Sequence, residues 1–114
     1  MTSSPEDELR RLRSEELDRA RALDVQFDDD YMTVELADGR RVSVPLDWFP
    51  RLRHGTADER SHWTTSNGGQ AIHWDDLDES LGVDHLLLGR RSYEGDASLQ
   101  AWLAERRRQK AGRS

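Results

Sequence analysis

Apolar and polar residues alternate most regularly between residues 24 and 46, and this alternation predicts a meander of three short strands. Asp24-Val25-Gln26-Phe27 begins it, and the acidic triplet at 28–30 makes a polar turn. Tyr31 to Leu36 places Met32, Val34 and Leu36 on one face, and Arg40 to Leu46 does the same with Val42, Val44 and Leu46. Asp38-Gly39 between them predicts a two-residue hairpin turn with both central residues at positive φ. An antiparallel sheet with one apolar and one wet face follows. Pro45 has no N–H for a ladder, so it ends its strand or sits at an edge.

A helical period replaces the alternation toward the N-terminus. Ser4 and Pro5 suit a helix start, and Glu6, Asp7 and Glu8 suit its positive dipole end. Leu9, Leu12, Ala20 and Leu23 form a stripe with Leu17 at its edge, and Glu16 interrupts it. A narrow stripe predicts a one-sided helix, docked on the body or on a second chain.

Beyond Leu46 the chain turns off the sheet, where Trp48, Phe49 and Leu52 can cover the open apolar face. Thr56 and Glu59 have capping-box spacing and predict a short helix from Ala57 to about Trp63. Asn67-Gly68-Gly69 reads as a turn, and Gln70 to Trp74 as a short strand able to join the meander. Asp78 or Ser80 then caps a helical turn that Gly89 stops, and a last helix is expected from Ser98 to about Arg108. The predicted class is α+β. It comprises a small antiparallel sheet, a three-strand meander plus one later strand, with short helices and a helix at either end.

Composition sharpens these boundaries. Leu, Ile, Val and Phe make up 22 of 114 residues, a share at the edge of disorder, but 17 of them fall within residues 23–89. The expected division is therefore a charged N-terminal helix at 1–22, an α+β core at 23–89, and a C-terminal helix with a basic tail at 90–114. Charge follows it. The formal net charge is −6, yet residues 64–89 hold five acids and no Lys or Arg, while 90–114 hold seven bases against three acids. The absence of cysteine excludes disulfides, thiol nucleophiles and thiolate metal sites. No apolar run reaches the roughly 18 residues of a membrane span, and the first residues lack a secretory core. A cytoplasmic location is the expectation.

Candidate chemistry is sparse. His73 with Asp75 and Asp76 is the cluster best suited to a metal-dependent enzyme, since imidazole and carboxylate are ligands for zinc or non-haem metals. A strand ending in a solvated acidic turn is the simpler account of the same residues. His54 and His62 lie eight apart and fit no common ligand spacing, and His85 sits among leucines. Asp28, Asp29 and Asp30 lack the glycine and distant glutamate of a calcium loop. No GxSxG elbow or phosphate loop is present. Trp102, with Leu99 and Leu103, makes an apolar patch on a charged helix, which must be buried against the body or a partner. Arg106, Arg107 and Arg108 begin a tail able to contact phosphate.

The stretches ADGRRVSVPLDWFPRL, TADERSHW and IHWDDLDESLGVDHLLLG together resemble the bacterial family of unknown function DUF2442 over residues 23–89. The resemblance implies a small α+β fold. Some relatives carry an added helix-turn-helix, which this chain lacks, and some are encoded beside a second small protein in a toxin–antitoxin-like arrangement. It carries over no catalytic residues. The matching positions have structural explanations: Asp38 and Gly39 for the hairpin, Pro45 and Pro50 for the exit from the sheet, and Trp48, Phe49, Leu52 and Trp74 for the core. Arg51 and Arg60 are expected to pair with Asp75, Asp76, Asp78 or Glu79, joining the two halves of the motif around His73.

The leading expectation is thus a non-enzymatic protein-binding module, antitoxin-like or regulatory, without a cofactor and with a small, basic protein as partner. Leu9 and Leu12 on the first helix, and Leu99, Trp102, Leu103 and Arg106 to Arg108 on the last, are the expected contacts. A second copy of the chain is an alternative partner, and nucleic acid bound by the basic tail is an alternative function.

Overall fold

The computed structural model describes residues 5–112, and the side chains of residues 12–14, 16 and 18 lie outside that description, as does the expected cap at Ser4. Helix α1 (Pro5–Arg19) leads into β1 (Ala22–Phe27), β2 (Tyr31–Leu36) and β3 (Arg41–Pro45). These three strands form an antiparallel sheet in chain order. Two short helices follow, α2 (Pro50–His54) and α3 (Ala57–Ser61), then β4 (Trp63–Ser66), β5 (Ala71–Trp74) and β6 (Glu79–Gly82). The latter three form a second antiparallel sheet, and α4 (Val83–Leu87) and α5 (Asp96–Ala111) complete the fold.

The meander follows the alternation closely. Met32, Val34 and Leu36 are buried on β2 and Val44 on β3, with Val34 opposite both Val25 and Val42. Asp28 makes the first turn by accepting the amides of Asp30 and Tyr31 at 2.8 and 2.7 Å. The second turn differs from expectation. Only Gly39 has positive φ (+93°), and the Leu36 amide reaches the Arg40 carbonyl at 2.8 Å. The loop is therefore the three residues Ala37-Asp38-Gly39, with glycine taking the left-handed bulge position. Pro45 closes β3 opposite Tyr31, where no further ladder bond is asked of it.

Three expectations are corrected. Helix α1 stops at Arg19 rather than at Leu23; Ala20 and Ala22 turn into the core, and Leu23 sits exposed beside a bulge in β1. The strand at 71–74 does not join the meander. It is the centre of a second sheet, because Trp63 begins a strand instead of ending a helix, and Asn67, Gly68 and Gly69 all take positive φ to reverse the chain. Residues 79–82 likewise form a strand, not a capped helix. Asp78 adopts a left-handed conformation (φ 50°), which folds Glu79–Gly82 back along β5 and delays α4 to Val83.

Both sheets pool their inner faces in one core. Ile72 and Trp74 meet Met32, Val34 and Leu36, and Leu46, Phe49, Leu52, Leu77, Val83 and Leu86 close the sides. Trp74 is fully buried, packs edge-on against Phe27, and donates its indole N–H to the Arg60 carbonyl at 3.0 Å. The radius of gyration, 17.0 Å, exceeds the roughly 13 Å of a compact chain of about this length. The long axis reaches 68 Å against 29 and 25 Å for the other two.

Candidate functional site

Helix α5 begins after Gly95, and the side chains of Trp102 and Arg106 join it to the core and to α3. Trp102 is half-buried against the core, between two guanidinium groups: Arg51 Cζ lies 5.2 Å and Arg106 Cζ 4.7 Å from its ring. Each arginine is fixed by a carboxylate. Arg51 donates through Nε and Nη2 to Glu94 at 2.9 and 2.7 Å, and through Nη1 to the Asp78 carbonyl and carboxylate at 2.9 and 3.1 Å. Arg106 donates through both Nη atoms to Glu59 at 2.9 and 2.7 Å. Such bidentate, charge-assisted pairs are directional as well as strong.

Arg51 thus joins Asp78 as expected, but its main partner is Glu94. Among the described residues Arg60 pairs with no carboxylate; it donates through Nη1 to the carbonyls of Leu52 and Gly55, each at 3.1 Å, and lies over the Phe27 ring. It seals the end of α2 instead of bridging the motif. Glu94 escaped the sequence reading because it lies outside the resembling stretch. Its local partners are Ser98 one turn on, whose hydroxyl donates to its carboxylate at 2.8 Å, and Ser92, whose hydroxyl accepts its amide at 3.2 Å.

Leu99 and Leu103 are half-buried beside Trp102, so this patch faces inward. Arg106 is spent on Glu59, Arg108 pairs with Glu105 at 2.6 Å within the helix, and Arg107 is exposed. Helix α1 is placed differently. Residues 5–11 are all exposed, Leu9 at 52%, and α1 reaches the body mainly at α4, with Leu17 half-buried. The Leu12 side chain lies outside the described residues.

The cluster of His73, Asp75 and Asp76 is not brought together. His73 lies on the outer face of β5, with Nε2 2.7 Å from the Ser66 hydroxyl and Nδ1 2.8 Å from that of Ser80. A neutral imidazole has one donor and one acceptor nitrogen, and the two serines use both. Asp76 points elsewhere, to His62 Nδ1 at 3.0 Å; that hydrogen bond, with the charge of Asp58, raises the His62 pKa. Among the described residues no group of three His, Cys, Asp or Glu side chains converges as metal ligands, and no helix is long and apolar enough to cross a membrane.

Two three-stranded antiparallel sheets on one core, with a C-terminal helix latched across α2 and α3, define a small α+β protein. The chain belongs to the family of proteins of unknown function DUF2442, whose model matches residues 22–92. The matched segment ends before α5 and excludes α1. A protein of unknown function from Rhodospirillum rubrum has a similar fold, with a TM-score of 0.56 at 22% identity over 70% of this chain and 96% of that one. An uncharacterised protein from Chromobacterium violaceum is similar over 93% of this chain and 95% of its own, at 25% identity and a TM-score of 0.57. No curated protein matches the chain.

Proposed function

We propose that this protein is a non-enzymatic binding module whose partner is another small protein, in an antitoxin-like or regulatory pairing. The observation that carries this reading is α1. Fifteen residues are helical, yet Pro5–Arg11 bury nothing, and Leu9 stands 52% exposed. An isolated helix of that length is marginal in water, and the exposed Glu8–Arg11 pair at 3.8 Å adds little. A partner surface that covers Leu9 would supply the missing burial. Residues 24–89 carry 14 acids and five Lys or Arg, so a basic partner would be drawn to the core by complementary charge.

Co-expression with the product of the adjacent reading frame, followed by size-exclusion chromatography with light scattering, tests this. A stable complex is expected, and Leu9→Glu is expected to dissociate it while leaving the chain folded. A monomer at micromolar concentration that captures no partner overturns the reading. A dimer of the chain alone, sensitive to Leu9→Glu, moves the interface to a second copy.

A further inference from the structure

Between β6, α4 and the segment leading to α5 lies a cleft of about 300 Å³. Its floor is apolar: Phe49 and Leu86 are 2% and 3% exposed, and Leu81 is half-buried. Its rim carries two exposed cations, Arg90 and Arg91, beside exposed His85, and Tyr93 stands at the edge almost fully in solvent. An apolar hollow with a few convergent polar groups is the usual form of a small-molecule site.

Charge distinguishes this hollow from the rest of the surface. No Lys or Arg occurs between residues 61 and 89, so Arg90 and Arg91 are an isolated positive pair beside an acidic segment. Arg51, Arg53, Arg106 and Arg108 each meet a carboxylate. Among the described residues Arg90 meets none, and Arg91 instead lies over the Trp48 ring at 5.0 Å. Stacking occupies the face of a guanidinium and leaves its in-plane N–H donors free. The segment carrying both is pinned where the Ser92 amide donates to the Trp48 carbonyl at 3.0 Å and the Arg90 amide to His85 at 3.0 Å. Among the described residues Glu79 is the one acid lining the cleft; it accepts the amide of Ser80 at 3.0 Å, and against two arginines it leaves the rim net positive.

We propose that this cleft binds a small carboxylic acid with an apolar body, the carboxylate held by Arg90 and Arg91 and the body seated on Phe49, Leu81 and Leu86. Titration of the full ¹⁵N-labelled chain with 4-phenylbutyrate, followed by NMR, tests it. Saturable shifts are expected at Ser80, Leu81, His85 and residues 90–93, with 4-phenylbutanol at least tenfold weaker, about 1.4 kcal/mol. Arg90→Gln with Arg91→Gln should weaken the acid about tenfold. Both positions are exposed, so in the free variant only the substituted segment and Trp48, over which Arg91 lies, should shift while the rest of the spectrum keeps its dispersion. No saturation at millimolar acid, equal binding of acid and alcohol, or undiminished affinity in the double variant each overturns the proposal.

Discussion

Glu59 and Arg106, 47 residues apart, share two hydrogen bonds, and the same Glu59 carboxylate accepts the Thr56 amide at 2.9 Å. One side chain therefore closes the capping box of α3 and anchors α5. The hydrogen bonds from Arg106, supported by the Thr56 amide, hold the Glu59 pKa down to about 2 from an ordinary 4.5. A carboxylate with a lowered folded-state pKa stabilises the protein above about pH 4.5, and that contribution is lost as pH falls through about 2. Glu59→Gln keeps a capping acceptor but loses the charge. It should cost about 1–2 kcal/mol at neutral pH. In urea unfolding across pH, the deficit should close between about 4.5 and 2, and a deficit constant through that window would refute the assignment.

Glu79 has the opposite sign. Burial pushes its carboxyl up, against the lowering effects of the Ser80 amide and the Arg51 charge. A raised folded-state pKa means that its contribution is fully present below about pH 4.5 and is lost as pH rises through the folded value. Glu79→Gln keeps an acceptor for the Ser80 amide and cannot ionise. The variant should be more stable than the parent at neutral pH, with the advantage vanishing in acid. Paired thermal melts at the two pH values check this.

His62 links the end of α3 to the turn after β5. Its bond to Asp76 is the main cause of its raised pKa, with Asp58 adding charge. Asp76→Asn should bring the His62 midpoint back toward 6.5, read from imidazole proton shifts in an NMR titration. An unmoved midpoint would show that Asp58 alone sets it.

The legible parts of this fold are those with local causes. Met32, Val34 and Leu36 announce their strand by period, and Thr56 and Glu59 announce their helix by spacing. What escaped depends on distant partners or on one backbone angle. Trp63 reads as helical until Trp74, its cross-strand neighbour, is placed. Glu79–Gly82 reads as a helix approach because nothing in the sequence reveals that Asp78 turns left-handed. The apolar patch at Trp102 was legible as needing cover, but not that Arg51 and Arg106 would flank it. His73, Asp75 and Asp76 looked like a cluster only because adjacency in sequence conceals that β5 and the following turn aim them apart.

Gly69 is the point where the second sheet meets the first. It is buried at φ +104°, and a Cβ there would sit 2.7 Å from the Ala22 carbonyl oxygen and 3.1 Å from its nitrogen. Both obstacles are backbone, so neither can rotate away. Gly69→Ala combines left-handed strain with this clash and should cost about 3 kcal/mol or more. Gly39→Ala shares the positive φ but meets nothing within 4 Å, and should cost only about 1 kcal/mol. Chemical denaturation of both variants checks the contrast, and equal losses would mean that strain rather than contact sets the cost.

Trp102 tests how α5 is held. Its ring meets Arg51 and Arg106 on a partly desolvated surface, where each cation–π contact contributes about 0.5–1 kcal/mol beyond area burial. Trp102→Ala should destabilise the chain by about 2 kcal/mol and lower hydrogen-exchange protection along α5. Trp102→Leu separates the two contributions, since it restores apolar area without a π face. If the guanidinium contacts matter, Leu should recover only part of the loss, and α5 protection should stay below that of the parent. Full recovery by Leu would reduce the latch to area burial and the Glu59 and Glu94 ion pairs. Protection unchanged even by Ala would mean that those ion pairs alone hold the helix.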